Sequence, residues 1–254
     1  MKTLLAVDVG NSNVKFGFFK NGRLTRTWRF PTTDVAQAGE QVLSQIAGIE
    51  APVVVSSVVP EATGILYGLG HIFERHVKQV TAKGQTILSG MAEDMGSDRV
   101  AEAVAAWKMH GHSRRAVIVL GFGTANTLLA LSAKGHVVGG WIAPGMSVTL
   151  EVLHQRCKLL PLLKMERAGG ELGDDTDTHM RNGVFLGHLG LAKQWIATAA
   201  SQLRSRKPLV VATGGGASAL QSFESVFDIV DPDLTLKGIY LLAQNMPADA
   251  DSQA

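Results

Sequence analysis

The sequence predicts an α/β protein built from two related halves. Two stretches of similar design carry this prediction: Leu4–Phe18 (LLAVDVGNSNVKFGF) and Val117–Leu131 (VIVLGFGTANTLLAL). In each, an apolar run of strand length leads into a polar, glycine-containing turn, and a second apolar run follows. A third stretch, Leu209–Gly216 (LVVATGGG), is a strand that enters a glycine turn. Superposing the first two turns pairs three positions: Gly10 with Gly123, Asn11 with Thr124, and Asn13 with Asn126.

The first turn has the residue types of a phosphate site. Glycine lets the backbone approach a ligand closely, and the Asn and Ser side chains and turn amides offer donors to phosphate oxygens. Asp8 lies at the mouth of the strand, where one carboxylate could hold a hydrated magnesium ion. The stretch is not a P-loop, since it lacks GxxxxGK[ST] and leads into a strand rather than a helix. Taken alone, it fits an ordinary hairpin with a surface Asp equally well; the second copy favours a phosphate site facing a cleft between the halves.

In the first half, strands and helices alternate. Asn21-Gly22 is a hairpin signal, so a third strand extends the sheet from the first hairpin. Apolar runs and helical spacing predict the remaining elements: strands at 22–30, 51–57 and 77–80, and helices within 32–49, 61–76 and 98–109. Polar residues predict a loop over 82–95, and residues 110–115 link the halves.

The second half repeats this plan. We predict a strand at 136–142, helices at 145–155 and 183–204, the strand and turn at 209–216, a helix from Ala217, a strand near 227–230 and a last helix at 235–245. The predicted domains are therefore residues 1–112 and 113–246. Residues 247–254 are small, polar and acidic, and we expect a disordered tail.

Composition narrows the class of protein. The 254 residues are 46% hydrophobic and 18% charged, which is enough for a sizeable core, and the net charge of +2 is too small to argue for nucleic acid or an anionic membrane. The single cysteine, Cys157, excludes an intramolecular disulfide framework and fits a reducing compartment. No apolar run reaches membrane-helix length, and the first strand leaves no room for a signal peptide. We expect a cytoplasmic protein.

Two phosphate-binding hairpins and a glycine turn resemble the actin-like ATPase and sugar-kinase superfamily, whose two duplicated ribonuclease H-like halves enclose an ATP cleft. The resemblance implies that the third stretch, LVVATGGG, holds the adenosine part of ATP. Further motifs fall in one order: GSDR at 96–99, GGWIAPG at 139–145, Thr176 before RNG, TGGGA at 213–217 and DLTLKG at 233–238. With the first hairpin, this ordered set resembles the type III pantothenate kinases. The resemblance implies ATP-dependent phosphorylation of pantothenate to 4′-phosphopantothenate, the first step of coenzyme A biosynthesis.

The residue types of the GSDR stretch fit this chemistry independently of the resemblance. Transfer of a γ-phosphoryl group to an alcohol needs an oriented hydroxyl and an acceptor for its proton, and Asp98 at a helix start can be that acceptor. Arg99 can pair with a substrate carboxylate, which pantothenate has. The alternative is a helix N-cap with an exposed salt bridge. The resemblance favours catalysis, because the proton acceptor of the family is the Asp of its GxDR motif.

The resemblance also implies the other site residues. The ATP-binding set is Asp8, Val9, Gly10, Asn11, Ser12, Asn13, Val14, Lys15 and Thr124, with Asp8 holding Mg²⁺ through water. The substrate-binding set is Gly96, Ser97, Asp98, Arg99 and Thr176. For Thr176 the alternative is a helix cap within Asp174–Asp177, a cluster that with His179 could also suggest a metal site; a solvated helix start is favoured.

Two positions depart from the family pattern. The resemblance implies a monovalent cation, K⁺ or NH₄⁺, held by an Asp at the start of the second hairpin, but this position is Gly121. The acidic residue expected eight positions on is Leu129. Glycine has no side chain to ligate and leucine has no oxygen, so the cation requirement is in question.

These departures leave two alternatives open beside the kinase: a ligand-binding or regulatory paralogue with little turnover, or a superfamily kinase that acts on another small alcohol, such as a sugar. The resemblance further implies a homodimer built on the long helices of the second half.

Overall fold

The computed structural model describes residues 2–112, 114–166, 169–205 and 207–246. They form two compact units: residues up to Lys108 together with those from Asp233 onward, and Met109–Pro232. The chain passes from the first unit to the second after Lys108, close to the boundary expected between 112 and 113. The sequence-based division, however, keeps the chain in the second half up to residue 246, whereas it returns to the first unit at Asp233. The expected tail, residues 247–254, lies outside the described residues.

The first unit contains a five-stranded mixed sheet in the order β3-β2-β1-β4-β5. Its strands are β1 (Thr3–Val9), β2 (Asn13–Lys20), β3 (Arg23–Pro31), β4 (Val53–Ser57) and β5 (Val77–Gln79). The first three form an antiparallel meander, and β4 and β5 continue the sheet in parallel with β1. The helices that follow in the chain are α1 (Val35–Gln45), α2 (Pro60–Ile72) and α3 (Ser97–Ala105).

The second unit repeats this topology, with its sheet in the order β10-β9-β6-β7-β8. Its strands are β6 (Val117–Phe122), β7 (Ala125–Leu131), β8 (Val137–Pro144), β9 (Leu209–Thr213) and β10 (Ile229–Val230). Its helices are α4 (Met146–Arg156), α5 (Thr176–Gln202) and α6 (Gly215–Phe223). Again a three-stranded meander is extended by two parallel strands. The predicted duplication of two α/β halves is therefore confirmed.

The last helix, α7 (Leu234–Ala243), belongs to the first unit, where it packs on α3 and on β1. Most of its residues are buried, among them Leu236 and Ile239. Gly238 lies so close to α3 that a Cβ there would overlap the backbone carbonyl of Ala101. An apolar helix of this kind needs a matching surface, and α3 provides it, which explains the return of the chain to the first unit.

Helix α5 begins at Thr176, seven residues before the predicted start at 183. A capping box fixes this start: Oδ1 of Asp175 accepts the Thr178 N–H at 2.7 Å, and the Thr178 hydroxyl accepts the Asp175 N–H at 3.2 Å. Among the described residues, no helix combines the length and the apolar character needed to span a membrane.

Candidate active site

The turn between β1 and β2 carries the first group of predicted site residues. Asp8 lies opposite Lys15 in the antiparallel ladder, and both side chains are partly buried. The Gly10 N–H donates to the Asn13 carbonyl at 3.0 Å and closes the turn. The Thr32 hydroxyl donates to the Gly10 carbonyl at 2.6 Å and fixes the turn to the end of β3. The carboxylate and the ammonium group are thus held beside a defined loop.

Four further residues of this turn fall into two pairs. Asn11 and Ser12 are exposed at its tip, whereas Val9 and Val14 are buried in the core. The two valines can therefore offer only backbone groups to a ligand, while the tip residues can also offer side-chain donors.

The Gly-Ser-Asp-Arg stretch forms the start of α3. Gly96 is the N-cap residue, and Oδ1 of Asp98 in the first turn accepts the Arg99 N–H at 2.8 Å. A Cβ at position 96 would come within 2.7 Å of that oxygen, so Gly96 leaves room for the carboxylate. Ser97 is buried, and its hydroxyl donates to the Ser57 carbonyl at 3.1 Å. Ser97 therefore anchors the helix start to β4.

A third acidic side chain, Glu102, joins Asp8 and Asp98; we call these three residues the carboxyl cluster. Glu102 follows Asp98 by one helical turn, so the two residues are neighbours on one face of α3. The Thr235 hydroxyl on α7 donates to Oε1 of Glu102 at 3.2 Å. Glu102 is absent from the sequence-predicted site, although its four-residue spacing from Asp98 was a usable signal.

Burial opposes ionisation of the carboxyl cluster. It raises the pKa of Asp8 to about 7; the Lys15 charge lowers this pKa and the Asp98 charge adds to the rise. Burial also raises the pKa of Glu102 to about 8, with the charges of Asp98 and Asp8 adding to the rise, while the hydrogen bond from Thr235 and the Lys15 charge oppose it. Near neutral pH the cluster therefore retains a proton unless a cation binds beside it.

In the second unit, the matching turn joins β6 and β7. Thr124 is exposed at this turn, and its carbonyl accepts the Gly145 N–H at 2.9 Å. A Cβ at Gly145 would overlap the backbone of the turn, so glycine allows the start of α4 to lie against it. Thr124 in the β6–β7 turn therefore corresponds to the exposed residues Asn11 and Ser12 in the β1–β2 turn of the first unit.

A cavity of about 400 Å³ lies in the second unit beside this turn. Gly123, Met146, Gly215, Gly216 and Phe223 contribute to its lining. It is formed where β9 enters α6 through the predicted glycine turn. Bare backbone and apolar side chains, with the polar side chains of Ser147, Glu166 and Ser222, suit a flat ring system with a few polar edges.

Thr176 lies in the second unit as the first residue of α5, and its side chain is exposed. The helix cap is Asp175, not Thr176. His179 contacts the Gly173 carbonyl at 2.9 Å through Nε2. Within the described part of the chain, no group of three or more His, Cys, Asp or Glu side chains is placed to hold a metal ion. The acidic stretch forms the N-cap and first turn of α5.

Comparison with known proteins decides the family. The model of the type III pantothenate kinase family matches residues 4–198. A type III pantothenate kinase from Geotalea daltonii is 32% identical, with 95% of this chain and 98% of the relative covered. One from Roseiflexus castenholzii is 33% identical over 94% of this chain and 97% of the relative. The chain belongs to the type III pantothenate kinase family. The predictions of the family, of a kinase and of its activity are confirmed.

Solved structures support the fold of this family member. A ROK family glucokinase from Streptomyces griseus, solved with glucose and AMPPNP, aligns with a TM-score of 0.54 at 13% identity over 95% of this chain and 99% of its own. Component A of the (R)-2-hydroxyglutaryl-CoA dehydratase of Acidaminococcus fermentans aligns with a TM-score of 0.54 at 14% identity, over 97% and 98%. At such identities the likeness concerns the fold, and the actin-like fold class is confirmed.

The donor chemistry of this type III pantothenate kinase fits magnesium but not the monovalent cation. Asp8 is a desolvated carboxylate beside the predicted phosphate turn, and Mg²⁺ usually combines one or two carboxylates with water and substrate phosphates. At the two positions where the resemblance predicts ligands for a monovalent cation, Gly121 has no side chain, and Leu129 packs in the core with 3% exposure. The residues at these two positions therefore supply no side-chain oxygen for K⁺ or NH₄⁺.

Proposed function

We propose that this chain transfers the γ-phosphoryl group of ATP to the hydroxyl of pantothenate, with Asp98 as the proton acceptor. The observation that carries this assignment is the placement of Asp98. It lies in the first turn of α3, oriented by the Arg99 N–H and given room by Gly96, and its charge acts on the partly buried Asp8. An oriented carboxylate beside a phosphate-binding turn is what alcohol phosphorylation requires.

The polyphosphate is proposed to lie along the β1–β2 turn. Lys15 and the turn N–H groups neutralise and hold the phosphates, and Thr124 contributes from the second hairpin. Asp8 holds Mg²⁺ through water; when bound, the ion neutralises charge that develops on the transferring group. Asp8 is already placed opposite Lys15 without the ion, so the turn presents both signs of charge to an incoming nucleotide.

Arg99 is proposed to bind the carboxylate of pantothenate. Its Nε is buried and has no hydrogen-bond partner among the described residues. A buried guanidinium donor without a partner is costly, and a bidentate carboxylate would satisfy it. The adenosine part of ATP is assigned to the glycine-lined cavity of the second unit, whose bare backbone at Gly215 and Gly216 admits a ring closely.

A cytoplasmic homodimer is part of this proposal. Large apolar side chains are exposed on three elements of the second unit: Ile142 on β8, Val152 on α4 and Leu186 on α5. Burial of such residues stabilises association between copies. Thr176, which is exposed at the start of α5, is assigned to pantothenate near that interface. Sedimentation should give twice the chain mass, and Leu186→Glu should shift the equilibrium towards the monomer.

The experiment that tests the function measures ATP- and pantothenate-dependent ADP release, with sodium or potassium as the only monovalent cation. We expect turnover in both salts at similar rates, because Gly121 and Leu129 supply no cation ligand. Pantothenate that binds without any turnover in either salt would overturn the kinase assignment.

A second candidate, a ligand-binding or regulatory paralogue, is favoured by the residues at positions 121 and 129 alone. It predicts binding of ATP and pantothenate with no ADP release. A panel of small alcohols, including sugars, separates pantothenate from another acceptor, since only a carboxylate-bearing acceptor would use Arg99.

A further inference from the structure

The start of α3 carries the proposed proton acceptor, Asp98, without a side-chain cap. Its N-cap residue is Gly96, and no side chain of the described residues closes this cap with a hydrogen bond. The first N–H groups of a helix have no partners within the helix, and a cap side chain usually satisfies one of them. Here the Arg99 N–H donates to Asp98 itself, a bond that moves with the turn. The place of this turn is therefore fixed by contacts outside the helix.

Two buried serine hydroxyls supply such contacts; we call Ser56 and Ser97 the serine pair. Ser56 of β4 donates its hydroxyl to Oγ of Ser97, the first residue of α3, at 3.0 Å. The Ser97 hydroxyl in turn donates to the Ser57 carbonyl of β4 at 3.1 Å. Ser56 is 0% exposed and Ser97 is 7% exposed. Since a serine hydroxyl has one hydrogen, both hydrogens of the pair are used to join α3 to β4.

The strand β4 also borders the strand that ends at the β1–β2 turn. In the parallel ladder, Ser56 is paired with Asp8, and Ser57 with Val9, the last residue of β1. The Val58 N–H continues the pairing beyond β4 and donates to the Val9 carbonyl at 3.1 Å. The strand that holds the serine pair is thus hydrogen-bonded to the end of β1, where the proposed phosphate-binding turn begins.

We propose that Ser56 and Ser97 are positioning residues of the kinase, whose hydrogen bonds fix the first turn of α3 to β4. They thereby set the place of the Asp98 carboxylate relative to the β1–β2 turn. Asp98 follows Ser97 directly in the chain, so a shift of Ser97 moves the carboxylate with it. Misplacement of a reacting group by about 1 Å can cost roughly 100-fold in rate. This proposal rests on the proposed function, in which Asp98 accepts the proton of the substrate hydroxyl.

The resemblance implied a different role for Ser97, in substrate binding, and the two roles predict different kinetics. Loss of a contact that holds the substrate equally in the ground state and the transition state raises KM and leaves kcat unchanged. Loss of a positioning residue lowers kcat, while ATP and pantothenate still bind. Only the positioning role involves Ser56, whose fully buried hydroxyl donates to Ser97.

The test is a double-mutant cycle with Ser56→Ala, Ser97→Ala and the double variant, in which kcat and both KM values are measured. Ser97→Ala removes both bonds and takes the acceptor from a buried hydroxyl, so kcat should fall roughly tenfold or more. Ser56→Ala should lower kcat by roughly two- to tenfold, because the bond to the Ser57 carbonyl remains. The double variant should be no slower than Ser97→Ala, since the hydroxyl that lost its acceptor is removed as well.

Ser44→Ala is the matched control and should keep the wild-type constants. Ser44 is exposed on α1, and its hydroxyl donates to the Gln41 carbonyl of the same helix. An unchanged kcat in Ser97→Ala, with or without a raised KM for pantothenate, would overturn the proposal. Losses of kcat that simply multiply in the double variant would also overturn it, because they would show that the two hydroxyls do not act as a pair.

Amide hydrogen exchange separates this proposal from the proposed function, since it needs no turnover. The Val100 N–H donates to the Gly96 carbonyl at 3.1 Å and reports on the first turn of α3. In Ser97→Ala this amide should exchange roughly tenfold faster relative to the amide of Leu66 in α2. Equal relative protection of Val100 in the wild type and Ser97→Ala would overturn the proposal even in an active kinase. Faster exchange in a protein without turnover would support the anchor and locate the failure in the proposed function.

Discussion

Asp8 and Lys15 lie directly opposite each other on β1 and β2, so their side chains emerge on the same face of the sheet. The ammonium group lowers the pKa of Asp8, but burial outweighs it and the pKa stands at about 7. The pair is therefore only partly ionised near neutral pH. A bound cation would complete the ionisation of Asp8, which links metal binding to proton release.

The free energy of unfolding should fall as the pH rises from 5.5 to 8.5 in the absence of ligands. The pKa of Asp8 rises from 3.8 to about 7 on folding, and that of Glu102 from 4.5 to about 8. The folded state thus holds more protons than the unfolded state between pH 4 and 8. Stability from both groups is fully present below their unfolded pKa values and is lost as the pH passes 7 to 8. The loss is on the order of 2 kcal/mol, discounted because both side chains keep partial contact with solvent.

Urea unfolding at three pH values checks this slope. The double variant Asp8→Asn with Glu102→Gln cannot ionise at either position, so its stability should vary less over the same range. Asp94→Asn, at an exposed position before α3, should keep the wild-type slope. Equal slopes for the wild type and the double variant would contradict the raised pKa values.

Replacement of Asp98 by Asn should abolish most of the turnover while ATP and pantothenate still bind. The amide has the shape of the carboxylate but cannot accept the hydroxyl proton, so kcat should fall by roughly 10²- to 10⁴-fold. Steady-state ADP release gives kcat, and calorimetry gives binding of each substrate. Asp94→Asn is again the matched control. Retention of kcat in Asp98→Asn would exclude Asp98 as the proton acceptor.

Arg99→Gln should weaken pantothenate binding more than it slows the chemical step. Among the described residues, Nε of Arg99 has no hydrogen-bond partner, so it is free to bind the substrate. Its loss would remove a charge-assisted hydrogen bond worth roughly 1.5–3 kcal/mol, which corresponds to a tenfold or larger rise in KM. Panthenol, in which an alcohol replaces the carboxylate, provides a test from the ligand side. The wild type should prefer pantothenate and the variant should discriminate little; equal discrimination in both proteins would place the carboxylate elsewhere.

Most of the secondary structure follows from local patterns. The apolar runs of β1 and β6 are buried, and the turns between strands lie where glycine and asparagine predict them. The assignment of α7 to the first unit could not be predicted this way, because its apolar pattern indicates burial but not the surface that covers it. The early start of α5 had a local signal in Asp175 and Thr178, a capping box that uses Thr where Glu or Gln is usual.

Candidate site residues could be proposed from the sequence where one motif contains them, and not where two distant elements meet. Asp98 and Arg99 followed from one tetrapeptide, and Asp8 from the end of an apolar strand. The side chain of Glu102 is held by a hydrogen bond from Thr235, which is 133 residues away in sequence. Its raised pKa also depends on burial in the fold and on the charges of Asp8 and Lys15, which no single stretch of sequence expresses.

Gly238→Ala should destabilise the chain by roughly 1–3 kcal/mol, because the added methyl group would collide with the backbone of α3 rather than with a flexible side chain. The two helices would have to separate, and the bond from Thr235 to Glu102 would lengthen with them. Gly68→Ala on α2 is the matched control: a Cβ there meets no atom of the described residues within 4 Å, so alanine should stabilise the helix by about 0.4–1 kcal/mol. Urea unfolding measures both variants at pH 7. Opposite signs are expected, and a neutral Gly238→Ala would show that the contact between α3 and α7 is loose enough to leave Glu102 unanchored.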